Sequence, residues 1–253
     1  MTEPTSILIT GASSGLGAAL ADAYAAPGVH LALGGRDQGR LDAVARICRA
    51  AGANVEVTAL DICERAAVAD WVAASDARRP LDMVIANAGV SGGTGSGRET
   101  PEQVRRIFEI NVDGVLNTVL PAVPLMVERR RGQIALMASL AGYRGLPGAP
   151  AYCASKAAVK VFGEGLRGEL AGKGVGVSVI CPGYVDTPMT QRNRFPMPFL
   201  MDAPKAARLI KRKLGGNKAR IAFPWPMAAA VWLLQAMPPG AIDRLLARLP
   251  RKG

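Results

Sequence analysis

The stretch SILITGASSGLG, residues 6–17, decides the fold. An apolar run over 6–10 ends in a turn holding Gly11, Gly15 and Gly17, and a helical pattern follows from about Leu16 to Ala26. A strand covered on both faces reads as a continuous apolar run rather than as an alternation. Glycine permits positive φ and a close approach of backbone to ligand, and the N–H groups that open a helix attract a phosphate. The spacing is G-x-x-x-G-x-G, a tight strand-to-helix turn with room for an anion. Its place on the first strand of an alternating chain makes a nucleotide the natural ligand.

Outward from this unit the same alternation repeats. Apolar runs at 30–34, 54–60, 83–87, 133–139 and 175–180 predict strands. Helical patterns cover 38–51, a segment through Trp71, a long segment 101–127 opening on Pro101, and a second long segment 150–171. This order predicts an α/β fold, a doubly wound parallel sheet with helices on both faces. A chain of 253 residues suits one hydrophobic core, so a single domain over 1–253 is expected. The region 189–253 differs in composition and reads as an apolar and basic extension. Four prolines over 188–204 predict a loop or lid, RIAF (220–223) a last strand, 227–237 an apolar helix and 241–252 a basic one.

Composition excludes several functions. The four cysteines form no C-x-x-C pair, so they read as free thiols in a reducing, cytoplasmic setting, with no metal site. His30 is the single histidine, which argues against a Ser-His-Asp mechanism, and it lies at a strand start where a structural role fits. The N-terminal residues lack a basic region followed by a long apolar run, so no signal peptide is expected. The net charge of +11 comes without zinc-finger spacing or an RNA-binding aromatic pattern, so no nucleic-acid partner is expected. The run Glu128-Arg129-Arg130-Arg131 reads as a solvated helix end.

Lys156 is the first lysine in a chain that until then uses only arginine, and it stands four residues after Tyr152. With TGASSGLG (10–17), NAG (87–89), Asn111 in EINVDG, Ser139, and CPGYVDTP (181–188), this Y-x-x-x-K pair resembles the short-chain dehydrogenase/reductase family, in its compact single-domain branch. The resemblance covers about residues 5 to 190 and implies a Rossmann-type fold and a nicotinamide cofactor. It implies that Gly11, Ser13, Ser14, Gly15, Leu16 and Gly17 form the cofactor turn, and that Asn87, Ala88 and Gly89 back the cofactor. Asp61 and Ile62 resemble the adenine-contacting pair, and Pro182, Gly183, Val185 and Thr187 the segment at the nicotinamide end. Tyr152 would transfer the proton and Lys156 would lower its pKa and bind the ribose. Ser139 would orient the substrate oxygen, and Asn111 would hold a relay water. Bringing a phenol from ~10 to ~7 requires about 4 kcal/mol, comparable to what a cation about 4 Å away supplies at an effective dielectric of ~20. Desolvation opposes the shift, so the charge of the oxidised nicotinamide would have to help.

The family's NAD users commonly carry an acidic residue after the second strand. This chain has Gly34-Gly35 and then Arg36, whose planar fork suits a 2′-phosphate, so NADP(H) is favoured over NAD(H). Asp37 either weakens that preference or caps the next helix, and Ser14 stands where some NADP users carry a basic residue. The resemblance implies a small-molecule carbonyl or alcohol. Met189, Phe195, Met197, Phe199, Leu200 and Met201 in the lid point to a lipophilic one. The two long helices match those through which the family forms homodimers or homotetramers. The tail is expected to close the pocket or an oligomer interface, with peripheral membrane contact as the alternative. Rival readings are a catalytically silent nucleotide-binding regulator, a membrane-surface lipid-modifying reductase and an extended-branch epimerase, the last disfavoured by length.

Overall fold

The computed structural model describes residues 3–92, 98–193, 195–238 and 240–241. Its first half runs β1 (Ser6–Thr10), α1 (Gly15–Tyr24), β2 (His30–Gly35), α2 (Gln38–Ala50), β3 (Asn54–Ala59), α3 (Arg65–Arg78), β4 (Met83–Ala86) and α4 (Pro101–Phe108). Then come α5 (Gly114–Glu128), β5 (Gly132–Met137), α6 (Pro150–Leu170), β6 (Val175–Pro182), β7 (Val185–Asp186), β8 (Met201–Asp202), α7 (Ala203–Gly215), β9 (Arg220–Phe223) and α8 (Trp225–Ala236). β1 is buried at every position because it is paired on both edges, Ile7 lying opposite Leu31 of β2 and Met83 of β4. Seven strands form one sheet in the order β3-β2-β1-β4-β5-β6-β9, all in parallel. The order reverses between β1 and β4, and sheets of this kind open a ligand crevice beyond the strand ends there.

Strand side chains alternate between two cores. Ile7, Ile9, Leu33 and Ile85 meet Leu20 of α1, Leu41 of α2 and Ile210 of α7 on one face. Leu8, Val84 and Leu136 meet Trp71 of α3, Val119 of α5 and Val159 of α6 on the other. α7 was not foreseen, although Asp202 caps it by accepting from Lys205 N at 2.7 Å and a proline stands in its first turn. With α7 and β9 in place the core reaches Phe223, so the tail is not one extension from 189. Beyond Ala241, the expected basic helix lies outside the described residues.

Two expectations are corrected. The helix expected over 101–127 is interrupted: after α4, which a Thr100–Gln103 capping box starts, Glu109–Asp113 form a π turn before α5. The charge run 128–131 is not simply solvated. Arg129 grips Asp76 at 2.7 and 2.9 Å and also donates to Leu81 O, while Arg131 pairs with Asp82. Asp76 is 9% exposed and also accepts from Leu81 N at 2.9 Å. Removing one member of a buried pair leaves the other charge uncompensated. Arg129→Met is therefore expected to lower the unfolding free energy by about 3 kcal/mol in denaturant titration. A loss below about 1 kcal/mol would class the pair with exposed ones.

Candidate active site

At the crevice, side chains fasten β1 to β4. Thr10 Oγ1 accepts from Asn87 N and Ala88 N at 3.1 and 3.2 Å, and Asn87 Nδ2 donates to Thr10 O and Gly11 O at 3.0 and 3.3 Å. Gly11 and Gly15 adopt φ of +65° and +55°, the left-handed region that side chains avoid. Ser14 caps α1 without a side-chain hydrogen bond, so it does not occupy the helix's opening amides. These features fit a pyrophosphate. The cleft beside them has a volume of about 520 Å³.

Every residue assigned to the cofactor from sequence lines this one cleft, and so does Ser139. Arg36 stands exposed at the end of β2. Asp37 caps α2, accepting from Arg40 N and Arg40 Nε at 3.0 and 2.7 Å, bonds that hold its carboxyl below the usual range. Asp61 accepts from Cys63 N and Arg106 Nη2; burial would raise its pKa, but these bonds keep it low.

α6 carries Tyr152 and Lys156 to the cleft, one turn apart. Ala149 gives this helix no side-chain cap; instead Glu99, from the loop after β4, accepts from Ala151 N and Tyr152 N at 2.6 and 3.1 Å. The Ser139 hydroxyl accepts from Ala141 N at 3.1 Å and donates to Pro182 O at 3.3 Å. It also hydrogen-bonds the Tyr152 phenol. Lys156 Nζ donates to Met137 O at 2.8 Å and sits 6.0 Å from the Tyr152 ring centre. Gly89 is the gap between Asn111 and Lys156: a Cβ there would stand 3.1 Å from Asn111 Oδ1 and 3.2 Å from Lys156 Nζ.

Asn111 sits in the π turn, fully buried behind Gly89. Its Oδ1 accepts from Val90 N at 2.7 Å, and its two N–H groups go to Val90 O and Ser155 Oγ at 2.9 and 3.0 Å. Both amide donors thus join the β4 loop to α6. Thr10, Glu99, Ser155 and Arg40 were absent from the sequence assignment. The first three act through contacts between distant segments, which local spacing does not record.

Desolvation opposes the fall expected at the phenol. Burial pushes the Tyr152 phenol up, against the Ser139 bond that pulls it down. Burial brings the Lys156 ammonium from 10.5 down to about 8. Below pH 8 both folded and unfolded chains carry this charge, and the folded state bears the full cost of burying it. Between 8 and 10.5 the folded state has shed a proton that the unfolded state keeps, so stability rises with pH by about 3 kcal/mol. The stability gap between wild type and Lys156→Met, followed by denaturant midpoint across that window, should change by that amount. A constant gap would refute it.

Residues 5–196 match the short chain dehydrogenase family model. The chain is 42% identical over 243 residues to an uncharacterized oxidoreductase of Myxococcus xanthus, covering 96% of each. It superposes with a TM-score of 0.80 and 28% identity on a short-chain dehydrogenase from Sphingobium yanoikuyae in complex with NADPH, covering 96% of each chain. An actinorhodin polyketide ketoreductase with NADPH gives 0.79 at 25% identity, covering 88% of this chain and 96% of that one. A match of this extent in both sequence and fold leaves one conclusion: the chain belongs to the short-chain dehydrogenase/reductase family and is an NAD(P)-dependent oxidoreductase.

Proposed function

We propose that the protein reduces a lipophilic carbonyl with NADPH, Tyr152 giving the proton to the substrate oxygen. The observation that carries this reading is the Tyr152 phenol bonded to Ser139, with Lys156 one turn behind. The nicotinamide, when bound, supplies the hydride. The turn 11–17 would hold the pyrophosphate, Arg36 the 2′-phosphate, Asp61 and Ile62 the adenine. Asn87–Gly89, Pro182, Gly183, Val185 and Thr187 would hold the nicotinamide end.

The phenol, which burial pushes up, is protonated at neutral pH and can give its proton in the reductive direction. Ser139 has its backbone partners on both sides and is fixed to orient the substrate oxygen. Lys156, titrating near 8, exchanges protons readily and would refill the phenol. Asn111 and Glu99 hold the loop and helix that bear these groups. Tyr184 stacks edge-on against Phe195 at 6.0 Å, and Met189, Phe199 and Leu200 are exposed in the lid, which supports an apolar substrate. The likeness to a polyketide ketoreductase supports a ketone. A homodimer or homotetramer through the outer faces of α4–α6 belongs to the proposal, supported by the exposed Phe108, Leu120 and Val161.

The test is a panel of ketones, aldehydes and alcohols followed at the nicotinamide absorbance with each cofactor. Apolar carbonyls should consume NADPH. Bound NADPH with no turnover across the panel would leave the silent nucleotide-binding regulator. Arg36→Ala should weaken NADPH binding by about 2 kcal/mol, roughly thirtyfold, and leave NADH binding unchanged. Equal weakening of both cofactors would remove Arg36 from the 2′-phosphate.

A further inference from the structure

The loop after β3 is held from one side by the helical stretch around the π turn. Asn117 Nδ2 of α5 donates to Ile62 O at 3.0 Å. Gly114, the first residue of α5, makes room for the Ile62 side chain: a Cβ there would stand 2.4 Å from Ile62 Cδ1. The third contact comes from α4. Arg106 Nη2 donates to Asp61 Oδ2 at 3.1 Å, while Asp61 Oδ1 accepts from Cys63 N at 3.0 Å. Each oxygen of the carboxylate thus has its own donor within the protein. The group cannot rotate or swing without breaking one of these bonds.

Asp61 and Ile62 line the cleft, and Arg106 stands behind Asp61, outside that lining. The arginine is itself anchored, since its Nη1 donates to Glu109 Oε2 at 2.8 Å. Its planar fork is therefore stretched between two carboxylates on different elements. The Arg106 side chain is 40% exposed and that of Asp61 30%. Pairs so exposed add little to stability, so the effect of this one lies in the geometry it imposes. We propose that Arg106 is a positioning residue for base selection: by fixing Asp61, it makes the cleft accept an aminopurine and reject an oxopurine. The proposal rests on the reading that Asp61 faces the adenine of the cofactor.

An ionised carboxylate only accepts, and it has about four lone-pair sites. Arg106 and Cys63 take one site on each oxygen, so acceptor sites for a ligand remain on both. The exocyclic amino group of adenine donates to such an acceptor. In hypoxanthine the same position is a carbonyl, an acceptor itself, and the donor is the neighbouring ring N–H. A mobile carboxylate would follow that proton and bind both bases. A fixed one stays opposite the carbonyl and leaves two acceptors facing each other. Immobilising Asp61 therefore converts a plain acceptor into a discriminating one, by building a repulsion against the wrong base.

The test is binding alone and needs no substrate. The full-length protein is titrated by nicotinamide fluorescence with whichever of NADPH and NADH binds more tightly, and with its deamino form, in which hypoxanthine replaces adenine. Wild type should bind the adenine form roughly tenfold more tightly, the scale of one hydrogen bond to a charged group. Arg106→Met keeps an apolar stem and a good helix former, and should bring that ratio to about twofold or less. The loss should fall on the adenine form. A purely structural role would weaken both ligands alike and leave the ratio where it was. Glu109→Gln removes the other partner of Arg106 and should leave the ratio unchanged; a fall equal to that of Arg106→Met would place the effect in the π turn and overturn the proposal. Arg106→Met at the wild-type ratio overturns it too, and leaves Asp61 with the adenine. A wild type that binds both forms equally overturns it together with that placement of the adenine. Should Arg106→Met fail to fold, Arg106→Gln, whose shorter side chain cannot span to Asp61, replaces it with the same expected ratio and the same overturning result.

Discussion

Tyr152→Phe should lower kcat by roughly a thousandfold, the scale of a positioned general acid, while NADPH affinity stays within about twofold. The substitution removes one oxygen and keeps the ring. The packing of α6 and its cap from Glu99, which acts on backbone N–H groups, are unchanged. What is lost is the phenol proposed as proton donor and its bond to Ser139. The deficit should appear in kcat with little change in KM, because the phenol's contribution grows as charge develops on the substrate oxygen. The measurement is steady-state reduction of whichever carbonyl the panel identifies, with NADPH titrated separately by fluorescence. Activity within about tenfold of wild type would remove Tyr152 from the proton transfer.

Gly17→Ala should cost about 2–3 kcal/mol of stability and weaken NADPH binding at least tenfold. An added Cβ would stand 2.2 Å from the Gly11 carbonyl oxygen and 2.5 Å from Asn87 Nδ2. Both belong to the clamp between β1 and β4: the first is backbone, and the second is a side-chain end held by its bonds to Thr10 O and Gly11 O. Relief requires α1 or the turn to move, and that movement breaks the Asn87 bonds to Thr10 O and Gly11 O. Alanine's better helix propensity returns at most about 1 kcal/mol, so the steric effect wins. Gly165→Ala is the control: nothing lies within 4 Å of a Cβ there, and it sits inside α6. It should stabilise by up to about 1 kcal/mol. If Gly17→Ala melts with wild type and binds NADPH normally, the turn is more plastic than these contacts allow.

The order of strands and helices was legible because burial on both faces of a parallel sheet leaves an unmistakable apolar run at each strand. The turn 11–17 and the pair Tyr152 and Lys156 were legible for a related reason. Their chemistry depends on neighbours one to six residues away, a distance that spacing records. α7 was legible in principle: its Asp202 cap, its proline and the stripe Ala206, Ala207, Ile210 and Leu214 are local signals.

Other features have no local trace. Glu99 reaches the first amides of α6 across 52 and 53 residues, and Arg129 meets Asp76 across 53. The π turn that seats Asn111 shows itself only once Val90 and Ser155 are in place to take its amide. The direction of the Tyr152 shift belongs to the same class. Lys156 donates from its ammonium to Met137 O, and the burial that opposes any fall at the phenol comes from the packing around Tyr152. Sequence alone determined the fold, since it follows from short-range periodicity, and the resemblance to the short-chain dehydrogenase/reductase family, rather than spacing, singled out Ser139 and Asn111 beside Tyr152 and Lys156. Tertiary structure alone decided the burial of these groups, their supports and the exposed face of α8, because desolvation and long-range hydrogen bonds depend on what the folded chain brings close.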